Sequence, residues 1–485
     1  MGARQFTGSN ARVAYKPEKD GGILNFKPTA NETVTTAAMN PDAASVTIAA
    51  QVTIAKGDII AIGTDLNQEI LEVGKVTAGT KTIEFEAATK PNFRHEVGEP
   101  VKKIESIDGW YQLGDVTTFT PRSARALDQS QAFGSGVRAI GNAIQGRYEF
   151  GADVGVEVDI EVLPLWFLHA LNNNYTSVGT PVAPAVETKV AEATAAAASS
   201  MKLGSVANLA VGDFLEIDGK EVVKISKLAD PAVEFADSNP LGLRYAHAKD
   251  VVVKKVTGPF THTITKGLTL PVGISLLLEL SEGDQKSLAL LTGCRVGLLS
   301  LTASGSETIS TVTLDISCAR VQVLGKNIFG DAKKIAHRLY AQWEMAVTSG
   351  DADNRFNSLS LEIQNNLAAG EPLGTALPGL PTPGEGAVTG SFEYEYRTQA
   401  FSIATATGGQ RKLVFKWTSI RDDNHSLQIE IPAAKFGGSA HPAVTDKGPI
   451  ADTKEFTATL DSETNTDIKI VAKTNNPSVE YLTEG

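Results

Sequence analysis

The sequence predicts a mainly β protein made of two large strand-rich blocks and two small inserted β modules. Three observations carry this. Short runs alternate apolar and polar residues and stop at Asn, Gly, Asp or Pro, the pattern of half-buried strands closed by turns. Thr, Val, Ser, Gly and Ala are abundant while aromatics form only 6% of the 485 residues, a composition that favours strands over long helices. A stretch of about fifty residues also occurs twice, and a chain this long exceeds one ordinary core.

Taken in order, residues 1–44 read as an N-terminal arm. "MGARQFTGSNARVAYKPEKDGG" lacks the apolar centre of a signal peptide, and no later run reaches membrane-spanning length. The expectation is a protein made and kept in the cytoplasm until assembly, with no membrane partner. Module one, 45–105, contains "GDIIAIGTDLNQEILEV" and closes on "FRHEVGEPVKKI"; module two, 201–257, contains "GDFLEIDGKEVVKI" and closes on "LRYAHAKDVVVKKV". Glu69 matches Glu221, and His95 matches His247. Both histidines read as turn or core residues of a repeated module. The Ala/Thr/Pro-rich stretches before the modules, "NETVTTAAMNPDAAS" and residues 178–200, read as linkers.

The first block covers 106–177 and 258–325. Its most regular strand is "YEFGADVGVEVDIEV", 148–162. Phe150, Ala152, Val154, Val156, Val158, Ile160 and Val162 share one face, and Glu149, Asp153, Glu157, Asp159 and Glu161 share the other. "LPLWFLHAL" then predicts a short helix ended by "NNN", and strands follow near 293–301 and 311–324. The second block, 326–485, starts with "LYAQWEMAV" (339–347), read as a strand whose hairpin partner is "FNSLSLEIQ". That partner puts Leu359, Leu361 and Ile363 on one face and Ser358, Ser360, Glu362 and Gln364 on the other, and ends at Asn365 and Asn366. Strands are predicted in 390–401, 411–420, 425–436, 454–462 and 466–474.

Little in the chain carries chemistry. A formal charge of −12, from 44 Lys and Arg against 56 Asp and Glu, argues against gripping DNA through its phosphates. Cys294 and Cys318 are too few for a zinc site or a disulfide scaffold, and are expected as buried free thiols facing each other on neighbouring strands. "HEVG" at 95–98 lacks the second histidine of a zinc-protease helix, and "DADNRFNSLSLE" has Arg355 and Phe356 where a calcium loop needs a ligand and a glycine. "GSGVRAIGNAIQG" (134–146) matches no phosphate-binding fingerprint. The four tryptophans read as core. No enzyme, metal or cofactor is expected.

The order of these strands resembles the tail tube proteins of long-tailed phages and related viruses. "YEFGADVGVEVDIEVLPLWFLHALNN" is similar to the family's strand leading into a short helix, and "LTGCRVGLLSLTASGSETISTVTLDISCARV" to its hairpin. "FNSLSLEIQNNL" resembles its strand ending in paired asparagines, and "GSFEYEYR", "SLQIEIPAAKF" and "EFTATLD" follow in order. The resemblance implies two tandem β-barrels or sandwiches with short flanking helices, and a virion subunit that stacks in rings, trimers of the duplicated barrel, to form the DNA channel. It implies tape measure, tail tip and neck proteins as partners, DNA passing without specific binding, and modules decorating the exterior. Glu149, Asp153, Glu157, Asp159 and Glu161 become candidates for the lumen. Ser358, Ser360, Glu362, Gln364, Asn365 and Asn366 become candidates for a contact between subunits. The competing classes are a baseplate, neck or tail-terminator protein of the same virion, a β-rich adhesion protein, and a carbohydrate-active enzyme, for which no acid pair assembles.

Overall fold

The computed structural model describes residues 11–18, 28–50, 53–63, 68–77, 81–86, 91, 94–104, 107, 109–129, 143–171, 174–235, 242–268, 273–282, 285–324, 332–335, 339, 344–348, 355–370, 378–397, 399–419, 425–444 and 450–480. Most of the 134–146 glycine run, Trp343 and residues 351–354 of the calcium-like segment lie outside them. The fold is mainly β, as the alternation predicts. Among the described residues no helix is long and apolar enough to cross a membrane.

One pattern of elements occurs twice. The first set is β1 (Ala11–Pro17), β2 (Val116–Gln129), β3 (Ala143–Glu157), α1 (Leu163–Ala170), β4 (Ile274–Glu282), β5 (Gln285–Ser304), β6 (Thr311–Ser317) and β7 (Arg320–Leu324). The second is β8 (Met345–Thr348), β9 (Phe356–Gln364), β10 (Ala387–Glu395), α2 (Ala400–Thr407), β11 (Gln410–Thr418), β12 (Ser426–Gly437), β13 (Ala451–Ala458) and β14 (Lys469–Thr474). Each antiparallel pairing in the first set has its counterpart in the second. β1 pairs β4 as β8 pairs β11, and β2 pairs β3 as β9 pairs β10. β3 pairs β6 as β10 pairs β13, and β4 pairs β5 as β11 pairs β12. β5 pairs β6 and β7 as β12 pairs β13 and β14.

The two sets join edge to edge. β5 lays Leu298–Ser304 against Gln364–Ser358 of β9, so β2, β3, β6, β5, β9, β10 and β13 form one running sheet. Its inward side is a single apolar core holding Val154, Leu299, Leu361, Phe392 and Ile429. Alternation is the cause: in β9, Leu359, Leu361 and Ile363 are buried while Ser360 and Glu362 are not. A slip by one residue would reverse every one of them. Gly390 is required at this sheet, because a Cβ there would lie 2.3 Å from the Ser360 carbonyl oxygen and 2.6 Å from the Phe456 ring.

α1 is apolar apart from His169, and all eight of its residues are buried, Trp166 and Phe167 among them. Pro164 suits its first turn, and the Asp159 carboxylate accepts from the Glu161 amide just before it. Its counterpart α2, absent from the predicted elements, ends on left-handed Gly408 and leaves Ile403 57% exposed. Trp110, Trp166 and Trp417 are fully buried core residues.

Extra structure interrupts the first set in two places. Between β1 and β2 lies a six-stranded sheet that includes Pro28–Val34, Ile59–Ile62, Glu69–Thr77 and Pro100–Ile104. Its Ile59, Ala61, Ile70 and Ile104 pack with Trp110 on Leu277, Leu288 and Leu290 of β4 and β5. Between α1 and β4, the strands Phe214–Ile217 and Glu221–Lys224 are closed by Val252–Thr265, which continues to pair with β14. Three expectations are corrected. β1 is held between β4 and Tyr111–Leu113, with Tyr15 fully buried, and is not a free arm. The linker-like stretches are structured, because Thr35 bridges Ile48, Met39 bridges His95, Val190 bridges Leu203 and Thr194 bridges His247. β8 pairs with β11 rather than forming a hairpin with β9.

Candidate functional site

The outward side of the running sheet is polar, and it gathers residues from both halves of the chain. Across it, Thr118, Gly155, Thr313, Ser300, Glu362, Thr389 and Thr457 stand opposite one another strand by strand. The next row runs Glu157, Thr311, Thr302, Ser360, Ser391 and Glu455. Thr302 and Thr311 hydroxyls meet at 3.0 Å. Arg122 sits between Asp153, at 3.3 Å, and Asp315, so part of the acidity is matched by a cation in the sheet itself. Glu149 and Asp153 are exposed and Glu157 is half-buried, as are Ser358 and Ser360, while Glu362 and Gln364 are exposed. The tertiary structure therefore brings most members of the two predicted residue sets onto one face.

Asp159 and Glu161 are not on it. The strand stops at Glu157, the chain turns towards α1, and both carboxylates are buried. Glu161 Oε1 lies 2.8 Å from His425 Nε2 and accepts from the Asn475 amide at 3.2 Å, and its Oε2 takes the Asn476 side-chain amide. This acid ties the first set to the end of the second. Asn365 is likewise buried: its Nδ2 donates to the carbonyls of Ala170 and Val296, both at 2.9 Å, closing the last turn of α1. Asn366 takes the left-handed turn (φ 45°), and its Nδ2 donates to the Glu385 carbonyl. β9 is paired along both edges within the chain, so its contact joins the two halves and leaves no edge for another subunit. Sequence alternation alone does not show that 158–162 leaves the sheet. Pro164 is the one local hint.

The two similar stretches each bury a Glu–His pair. Glu69 Oε2 is 2.9 Å from His95 Nε2, and Glu221 Oε1 is 2.7 Å from His247 Nε2, with both imidazoles buried. Burial opposes a charge on His95, but Glu69 and Glu99 outweigh it and raise its pKa. Asp58 and Asp213 each accept a backbone amide at 2.7 Å, from Ala55 and Ala210, and pair with Lys103 at 2.7 Å and Lys255 at 2.6 Å. The Glu–His pairs are buried, and the half-buried aspartates hold turns. Cys294 and Cys318 are buried free thiols with sulfurs 3.0 Å apart, and burial beside Cys318 pushes the Cys294 thiol well up. Among the described residues no cluster of His, Cys, Asp and Glu side chains is arranged to hold a metal ion.

A duplicated strand pattern, one through-running sheet and a Ser/Thr/Glu face define a structural β protein whose broad surface is its distinctive feature. A family model described as phage tail tube protein matches residues 8–458, and the chain belongs to that family. It is a structural component of the virion tail. A search of curated proteins found no match.

Proposed function

We propose that this chain polymerises into stacked rings whose channel carries viral DNA during ejection, and that each ring holds three copies. The observation that supports it is the running sheet: one chain already contains two copies of the same pairing pattern, joined edge to edge, with an acid-rich Ser/Thr face. Such a face suits a channel wall because carboxylates repel phosphates, whereas each Lys or Arg near DNA adds affinity and slows its release. Glu149, Asp153, Glu157, Glu362 and the Ser/Thr rows line the lumen in this reading. The two modules lie outside. Tape measure, tip and neck proteins are the partners at the core and ends, and assembly takes place in the host cytoplasm.

Native mass measurement of purified rings tests the copy number, with three chains expected and six arguing that each chain supplies a single unit. Replacing Glu157 and Glu362 with lysine tests the lining. Tubes of normal length are expected by electron microscopy, with impaired DNA delivery from virions carrying them. Unchanged delivery would place this face away from DNA.

A further inference from the structure

The joint between the two halves is a template for the joint between two chains. β5 carries partners along both edges. On one edge β4 pairs as far as Cys294, and β9 takes over from Leu298. The counterpart of β5 is β12, where β11 pairs as far as Lys435. From Gly437 onward that edge carries no strand among the described residues, and Val444 is 70% exposed. The counterpart of β9 is β2. β9 is paired on both edges, whereas β2 pairs only β3 among the described residues, and Thr118, Arg122 and Ala124 are exposed.

The register follows from shared partners. Glu157 faces Thr311 as Glu395 faces Ala451, so Leu298, opposite Asp315, corresponds to Gly437, opposite Glu455. Thr302 then corresponds to His441. Ser360 faces Ser391 as Thr120 faces Asp153, so Ser360 corresponds to Thr120. The helices give an independent sign. Where β9 docks, Asn365 closes the end of α1 and α1 is wholly buried; the equivalent side of the second unit has α2 with Ile403 still exposed.

We propose that Gly437–Ala443 of one copy takes Thr118–Ala124 of a second copy of this chain as its antiparallel neighbour, in the register of the β5–β9 joint, with Thr120 opposite His441. The inference rests on the ring reading above. The added strand satisfies the free edge groups except at Pro442, the counterpart of Ala303, which has no N–H to donate, and a surface that invites uncontrolled pairing is used up by ring closure. Docking requires the segment after Gly437 to straighten, which breaks the 2.8 Å bond from the Ser439 hydroxyl to the His441 carbonyl and the bond from Lys454 Nζ to the Ser439 carbonyl.

The test is disulfide trapping in assembled rings. The double variants Thr120→Cys/His441→Cys and Thr118→Cys/Ala443→Cys are oxidised with copper phenanthroline, beside Thr302→Cys/Ser360→Cys, which bridges within one chain. Chain-to-chain ladders that end at the ring copy number and collapse on reduction are expected for the first two variants, and no ladder for the third. Hydrogen exchange on the unaltered protein gives a second reading that needs no variant: amides in 437–443 and 118–124 should exchange at least about tenfold more slowly in rings than in single chains. Intact rings with no ladder and unchanged exchange overturn this joint and leave the ring reading standing. Absence of any ring from the unaltered protein overturns both.

Discussion

His262 makes acid a selective probe of the seam between the halves. It lies on the strand Val252–Thr265, fully buried and stacked on Tyr175 with ring centres 5.8 Å apart. Its Nε2 is 2.9 Å from both the Asn476 carbonyl and the Thr474 hydroxyl, and its Nδ1 is 2.9 Å from the Tyr175 hydroxyl. The neutral Nε2–H form satisfies all of this, since Nε2 donates to Asn476 and Nδ1 accepts from Tyr175. Burial, opposed by the Asn476 carbonyl, pushes the pKa down to about 4 from an ordinary 6.5. The folded value lies below the unfolded one, so the unfolded chain takes up the proton first as pH falls. Stability from this group is complete above about pH 6.5, declines below it, and is lost by about pH 4, a total of ~3 kcal/mol. Between pH 7 and 5 the loss is about 2 kcal/mol. Urea unfolding of the single chain, followed by tryptophan fluorescence, should show His262→Gln with a pH dependence weaker by that amount. The comparison cancels other groups, including His169, which burial also holds at about 4. Equal slopes for the two proteins would falsify the assignment.

Other consequences follow from the same packing. Glu161→Ala removes the carboxylate that the buried His425 and Asn476 side chains meet, and a loss of about 3 kcal/mol in chemical denaturation is expected. A loss below 1 kcal/mol, on the scale of exposed pairs, would show that the acid does not tie the halves together. Gly390→Val must displace the Ser360 carbonyl or Phe456, so about 3 kcal/mol should be lost and the β9–β10 amides should exchange faster, while Gly370→Ala, with open space around its Cβ position, should be nearly silent. Cys294 and Cys318 should resist a thiol reagent in the folded chain and react together after unfolding. A native mass two hydrogens below the reduced mass would contradict the free-thiol state.

The sequence by itself determined what depends on neighbours along the chain. Period-two alternation set the faces of β3 and β9, because side chains on a strand point to opposite sides whatever it pairs with. The run "LPLWFLHAL" set α1, since an apolar segment broken only by His169, with proline in its first turn, has few other uses. The matching Gly-Asp, Glu and His positions marked two similar stretches, but the Glu69–His95 and Glu221–His247 pairs come from the fold. The order of strands carried the family. Only the tertiary structure decided which strands meet. Nothing local in β9 shows that it docks on β5, that β8 belongs to β11, or that Asn365 reaches the end of α1. Those contacts are set by which edges remain after the core closes, a property of the whole sheet. The same holds for Asp159 and Glu161. Their alternation is indistinguishable from that of Asp153 until the chain leaves the strand, and from there a carboxylate meets His425 and Asn476 instead of solvent.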